Sequence, residues 1–224
     1  MGSGRIVSLT SADSKVHSMP LNVVAELGDI PVAQRGYFTR AQATEVGIED
    51  FELTRSVSYG FIERVGHGVY RVVGAGHDPH ADLRIAWLRL DPAAPPQRRI
   101  LKPEIWVSHE SAAALHGFGV FLADTPTFIT TQRLQPGNGV KVVRRSNGLP
   151  RSEWVVRDGF AVTSVERTAA DLYASVTDGG HLGRFIIDAT RAGSTDLDAI
   201  SSALGIARVE VDAMVDMALS VVTS

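Results

Sequence analysis

Between Gly36 and Arg71 the spacing of apolar positions changes from helical to alternating, and the change predicts two short helices followed by a two-stranded ribbon. Thr39 to Gln42 has capping-box spacing: the threonine hydroxyl can accept the Gln42 N–H while the Gln42 amide reaches back. Gly47 supplies a left-handed residue to end the first helix, and Ile48 pins the turn to the core. A second helix is expected from about Glu49 to Tyr59, with Leu53 and Val57 four apart on its buried face and Gly60 as its stop. Phe61, Val65, Val69 and Val72 then flank Gly66-His67-Gly68, whose glycines permit the positive φ of a tight hairpin. This is the layout of a winged helix-turn-helix, a module that sets one helix in the DNA major groove and a β-wing beside it. Arg40 at the first helix start, Arg55 on the second helix, and Arg64, His67 and Arg71 on the ribbon are the candidate DNA contacts. A helix-turn-helix used only for packing or for binding protein is the alternative.

Outside this module the pattern predicts a helix from about Met19 to Asp29 and another opened by Asp78-Pro79, with Leu83, Ile85, Leu88 and Leu90 on its apolar side. Asp91-Pro-Ala-Ala-Pro-Pro breaks the periodicity, and the domain boundary is placed there. Ser108 is expected to cap a two-turn helix that Gly117 stops. Strands are expected at 127–131, 140–144, 153–156 and 160–162, with turns at Pro136-Gly-Asn-Gly and Asp158-Gly159. Thr163 to Glu166 again has capping-box spacing and opens a helix carrying Arg167 and Asp171. After Gly179-Gly180 helices are expected over 181–192, 195–204 and 209–222. The fold class is therefore α+β: a winged helix-turn-helix over 19–76, a connecting helix and proline-rich break over 77–97, and a small mixed domain with a helical C-terminal tail over 98–224. Residues 1–18 read as a flexible tail or an appended leader, with Met19 a possible start.

Composition narrows the chemistry. The 224 residues contain no cysteine, which removes disulfides, thiol nucleophiles and cysteine-ligated zinc and suits a reducing cytoplasm. Nothing approaches the ~20 apolar residues of a membrane span. Charge is uneven along the chain. Residues 30–74 hold five arginines and five acids, so the DNA module is neutral, and Glu49, Asp50 and Glu52 make its second helix acidic. Counterion release drives most non-specific DNA affinity, so weak binding is expected except at a preferred site. Residues 98–157 carry a net +5, whereas residues 158–224 hold four arginines and ten acids, a net −6. Two different partner surfaces, or solvated charge without a partner, both fit that asymmetry.

Enzyme motifs are weak. His109-Glu110 and His116 lack the four-residue histidine spacing of a helical zinc site, because position 113 is alanine. His116 at a helix C-terminus reads instead as a favoured cation. Ser108 and Ser111 beside His109 have no nucleophile elbow to hold them. Gly137-Asn-Gly139-Val-Lys141 lacks Walker spacing and fits a hairpin turn. Arg167 and Asp171, four apart on one helix, fit a supporting ion pair. No catalytic residue, metal or cofactor is assigned.

Three segments together carry a resemblance: Gly60-Phe-Ile-Glu-Arg-Val-Gly-His-Gly-Val-Tyr-Arg71, Val107-Ser-His-Glu-Ser-Ala-Ala-Ala-Leu-His-Gly117 and Thr163-Ser-Val-Glu-Arg-Thr-Ala-Ala-Asp171. In order and spacing the chain resembles the AbiEi family of antitoxins from type IV toxin–antitoxin (abortive-infection) systems. The resemblance implies an N-terminal domain that binds inverted repeats in its own promoter and so represses its operon. It also implies a second domain that neutralises a cognate nucleotidyltransferase-like toxin acting on tRNA. Such a toxin presents a basic groove, and the acidic end of this chain complements it, which makes Asp188, Asp196, Asp198, Glu210, Asp212 and Asp216 the candidate toxin contacts. Two alternatives remain. One is an atypical serine protein kinase that phosphorylates the toxin; the other is a winged-helix regulator with a ligand- or partner-sensing second domain.

Overall fold

A computed structural model describes residues 21–121, 123–135, 137, 139–175 and 179–222. The proposed tail over 1–18 lies outside them, as do Pro136 and Asn138 of the expected 136–139 turn. The described residues begin with α1 (Leu21–Glu26) and α2 (Asp29–Ala33), where one helix is expected. Gly28 between them sits at φ +54°, which breaks the helix. There follow β1 (Tyr37–Thr39), α3 (Arg40–Glu45), α4 (Asp50–Ser58), β2 (Ile62–Gly66) and β3 (Val69–Val72). The strands form an antiparallel sheet in the order β1-β3-β2, which completes a winged helix-turn-helix with α4 in the recognition position.

Local signals act as expected in this module. The Thr39 hydroxyl accepts the Gln42 N–H at 3.0 Å and the Gln42 amide oxygen accepts that of Thr39 at 3.0 Å. Gly47 and Gly60 take φ of +89° and +74° where the two helices end. On α4 the buried positions are Leu53 and Ser56, whereas Val57 is 36 % exposed. The helix thus turns the three-residue step inward rather than the expected four-residue one. One sheet face packs Phe38, Ile62, Tyr70 and Val72 against Val23, Leu27, Ala43, Ile48 and Leu53.

The other sheet face is largely covered, with Tyr37 and Val69 buried. It packs on α5 (Ala81–Leu90), which starts after Pro79 rather than at it. A β-carbon on Gly66 would come within 2.9 Å of Ile85 Cγ2, so the hairpin can approach α5 this closely only without one. Beyond lie α6 (Pro96–Leu101), β4 (Ile105–Val107), α7 (His109–His116), β5 (Thr127–Thr130), β6 (Lys141–Arg144), β7 (Trp154–Arg157) and β8 (Phe160–Thr163). These strands make a mixed sheet in the order β6-β5-β4-β8-β7. Asp158 and Gly159 both have positive φ at the β7–β8 turn, the requirement of a type I′ hairpin. Then α8 (Val165–Ala174), α9 (Gly179–Arg191), α10 (Leu197–Leu204) and α11 (Arg208–Val222) pack around Phe185, Ile186, Ile200 and Val211. The α8 cap is Ser164, one residue later than the capping-box spacing suggested, because the Thr163 hydroxyl is engaged with that of Thr168.

One core joins the two sheets. Tyr37 and Val69 from the wing side, Trp87 and Leu88 from α5, and Ile105, Val107, Phe128, Phe160 and Val162 from the five-stranded sheet form a single cluster. Within it Arg84 of α5 is 1 % exposed and pairs with Asp78, equally buried, at 2.6 Å. Arg84 also donates to the Asp158 carbonyl at 2.9 Å and lies 4.2 Å over the Phe160 ring. The 91–95 break is stitched to the winged helix: the Pro92 carbonyl accepts from Thr39 and that of Ala94 accepts from Gln42 at 2.7 Å. Among the described residues no helix is long and apolar enough to cross a membrane.

Burial raises the Asp78 carboxyl, but the hydrogen bond and charge of Arg84 outweigh it and hold its pKa below the ordinary value. Asp78→Ala leaves a guanidinium buried without its partner and should cost about 3–5 kcal/mol in urea unfolding. Because the folded pKa is depressed, the wild-type contribution is present above about pH 4 and is lost as pH falls through the lower folded value. A variant as stable as wild type at neutral pH would show that Arg84 does not need Asp78.

Candidate nucleic-acid interface

The register of the wing decides which charges can act together. Arg64 lies opposite Tyr70 and Glu63 opposite Arg71, with an irregularity between Arg64 and Gly66. Side chains alternate along a strand, so Arg64 and Arg71 leave opposite faces of the ribbon. Arg64 emerges on the helix side, where it joins Arg40, His67, Asp50 and Thr54 around a groove of about 250 Å³. Arg40, His67 and Gly68 also border a larger adjoining groove of about 690 Å³ that reaches Arg89 and Pro92. Three of the five candidate DNA residues are therefore gathered where α3, α4 and the wing meet.

The other two stand apart. Arg71 is on the α5 side, with its side chain 18 % exposed. It donates to the Ala75 and Gly76 carbonyls and lies 5.2 Å over the Tyr37 ring. Those contacts brace the segment that leads into α5. Arg55 sits on α4 away from the groove, its guanidinium 5.6 Å over the Tyr59 ring.

Two of the α4 acids have local partners. Asp50 receives a two-pronged contact from Arg40, and the Glu52 carboxylate accepts the Glu49 N–H at 2.8 Å. The Asp50 hydrogen bond and then its charge raise the Arg40 pKa. The groove thus keeps Arg64 and His67 exposed beside an arginine that a phosphate could draw from Asp50.

At the other end, the acids proposed for a toxin are mostly engaged with their own helices. Asp196 caps α10 by accepting from Asp198 and Ala199 at 3.0 and 2.7 Å. Arg208 bridges Asp198 and Asp212 at 2.6 and 2.9 Å. Glu210 accepts the Ala207 N–H at 3.2 Å, and Asp188 pairs with Arg184 and accepts the Gly119 N–H at 3.0 Å. Asp216 is exposed on α11.

The segment around α7 is structural in its contacts. Ser108 caps by position only; its hydroxyl meets His109 Nδ1 at 2.9 Å. Ser111 accepts the Thr127 N–H at 3.0 Å and ties α7 to β5. His116 is buried with Nε2 2.8 Å from the Thr163 carbonyl. Burial lowers its pKa, and that of His109, so both are held neutral. This corrects the reading of His116 as a helix-terminal cation: burial lowers its pKa despite the opposing hydrogen bond to the Thr163 carbonyl. Arg167 pairs with Asp171 and with Glu153 at 3.2 Å, so this ion pair fastens α8 to the start of β7.

Residues 32–73 match the family described as "Transcriptional regulator, AbiEi antitoxin". Among solved structures the chain is similar to the RV2827C protein from Mycobacterium tuberculosis, with a TM-score of 0.51 and 16 % identity over 88 % of this chain and 75 % of that one. At that identity the likeness is one of fold. No curated protein matches the chain.

Two buried neutral histidines fix a pH response. Below about pH 6.5 the unfolded imidazoles take up protons that the folded ones refuse, so unfolding free energy should fall as pH drops from 7 toward 5. His116→Gln, which keeps a donor for Thr163, should flatten that slope by at most about 1.4 kcal/mol per pH unit. Urea titrations across this range provide the check, and an unchanged slope would remove His116 from the account.

Proposed function

We propose, from the match of residues 32–73 to the AbiEi antitoxin family of transcriptional regulators, that this chain represses its own promoter and neutralises a cognate nucleotidyltransferase-like toxin in the cytoplasm. The observation that carries the DNA half is the groove where Arg40, Arg64 and His67 meet the exposed side of α4. A helix of this width enters the major groove while a wing lies against the flanking backbone. Arg64 and His67 then face phosphates, and Arg40 exchanges Asp50 for one. The basic 98–157 stretch adds phosphate contacts to a module whose own net charge is zero.

The division of labour follows the chain: DNA contact over 19–76, a connector over 77–97, and toxin contact over 98–224. The toxin half rests on electrostatics. A protein that handles tRNA and nucleotides carries a basic groove, and α9 to α11 bring together Asp188, Asp196, Asp198, Glu210, Asp212 and Asp216 with few compensating cations. Such steering weakens with salt beyond a Debye length of about 8 Å.

Gel shifts with the duplex upstream of the gene, at several salt concentrations, test the first half. Arg64→Ala should weaken binding and lower the salt slope by roughly one contact. Arg71→Ala should leave the slope unchanged and lower thermal stability. A slope that drops with Arg71 and not with Arg64 would invert the assignment. For the second half, toxin incubated with this protein should be inhibited without ATP and keep its mass. Changing the six acids to amides should abolish that inhibition. An ATP-dependent gain of one phosphoryl group on the toxin would replace binding by phosphotransfer.

A further inference from the structure

Residues advance about 100° around a helix, so Asp50, Phe51, Thr54 and Ser58 share one exposed arc of α4, opposite Leu53 and Ser56. Phe51, in the first turn, is 60 % exposed. A lone exposed apolar side chain is common on protein surfaces; its position is what matters here. Asp50 and Thr54 line the arginine-bearing groove beside the wing, so Phe51, one step farther round, occupies the middle of the face between groove and Arg55. The nearest carboxylates are engaged, Asp50 by Arg40 and Glu52 by the Glu49 N–H. Arg55 lies at the far edge over Tyr59.

The middle of this arc therefore offers no arginine, lysine, asparagine or glutamine to pair two-pronged with a purine edge. It offers a phenyl ring and two small hydroxyls. In the major groove the base feature that complements a phenyl ring is the C5 methyl group of thymine. N-terminal residues of a recognition helix are the ones that reach base edges, and Phe51 is the second residue of α4. We infer, on the premise that α4 enters the major groove as proposed above, that Phe51 reads thymine through its C5 methyl group, so that apolar contact specifies A·T pairs in the operator. Thr54 lies beside it on the groove side and brackets the same methyl.

The test uses the full chain and duplexes selected from a random-sequence pool. The selected duplex is resynthesised with thymines replaced one at a time by deoxyuridine, which removes only the methyl group. Wild type should lose about fourfold in affinity at one or two positions, equivalent to about 0.8 kcal/mol per methyl. Phe51→Ala should bind the thymine and deoxyuridine duplexes alike, with its salt slope unchanged. A wild-type protein indifferent to the methyl group, or a Phe51→Ala variant that still discriminates, overturns the inference while leaving DNA binding intact. A Phe51→Ala variant whose self-association in sedimentation weakens while discrimination persists assigns this face to a second copy and also overturns it. Failure to select any duplex sinks the DNA reading itself.

Discussion

A guanidinium shut away from water inside α5 constrains the arrangement of everything around it. Burying Arg84 without compensation is very costly, so each of its contacts must be kept. Asp78 comes from the segment before α5, the Asp158 carbonyl from the β7–β8 turn, and the Phe160 ring from the strand that follows. The same turn holds the exposed Arg35, in the turn before β1, through the Asp158 carboxylate at 2.9 Å. Arg84 thus fastens the connector to the five-stranded sheet, and the Arg35–Asp158 pair carries that tie on to the winged helix. The apolar cluster shared by Tyr37, Val69, Trp87 and Phe160 supplies the bulk burial; the charge supplies the geometric demand.

That demand reaches the proposed interface. Arg71, bonded to the Ala75 and Gly76 carbonyls and stacked on Tyr37, anchors the path from β3 into the Arg84 site. Gly66 lets the tip of the wing rest on Ile85 of the same helix. Arg64 and His67 are thereby presented from a ribbon supported from behind, which limits the conformational freedom they lose on meeting a phosphate.

Much of the winged helix was legible in the residues because its signals are local. A capping box at Thr39 and Gln42 and glycines at 47 and 60 each fix a turn within a few positions, as Asp158-Gly159 does in the second sheet. Long-range choices were hidden. Arg84 reads as a polar position on an otherwise apolar side and gives no hint that Asp78 and Asp158 will surround it. Likewise Ser164 takes the α8 cap because Thr163 is committed to Thr168, a contact outside any spacing rule. For the candidate site the arginines could be named but not their faces. Alternation assigns Arg64 and Arg71 to opposite sides only once the register opposite Tyr70 and Glu63 is known, and the irregularity after Arg64 shifts that register. His116 differs for a related reason: its place at a helix end suggests a cation, whereas burial in the folded chain lowers its pKa.

On the proposed function, DNA is engaged by α4 and the tip of the wing while the helical end of the chain remains free. Hydrogen–deuterium exchange of the full chain, with and without the duplex upstream of its gene, tests this most directly. Binding should slow exchange over 50–58 and 64–68 and leave 208–222 unchanged. Protection confined to the helices after residue 179, or absent from both α4 and the wing, would contradict it.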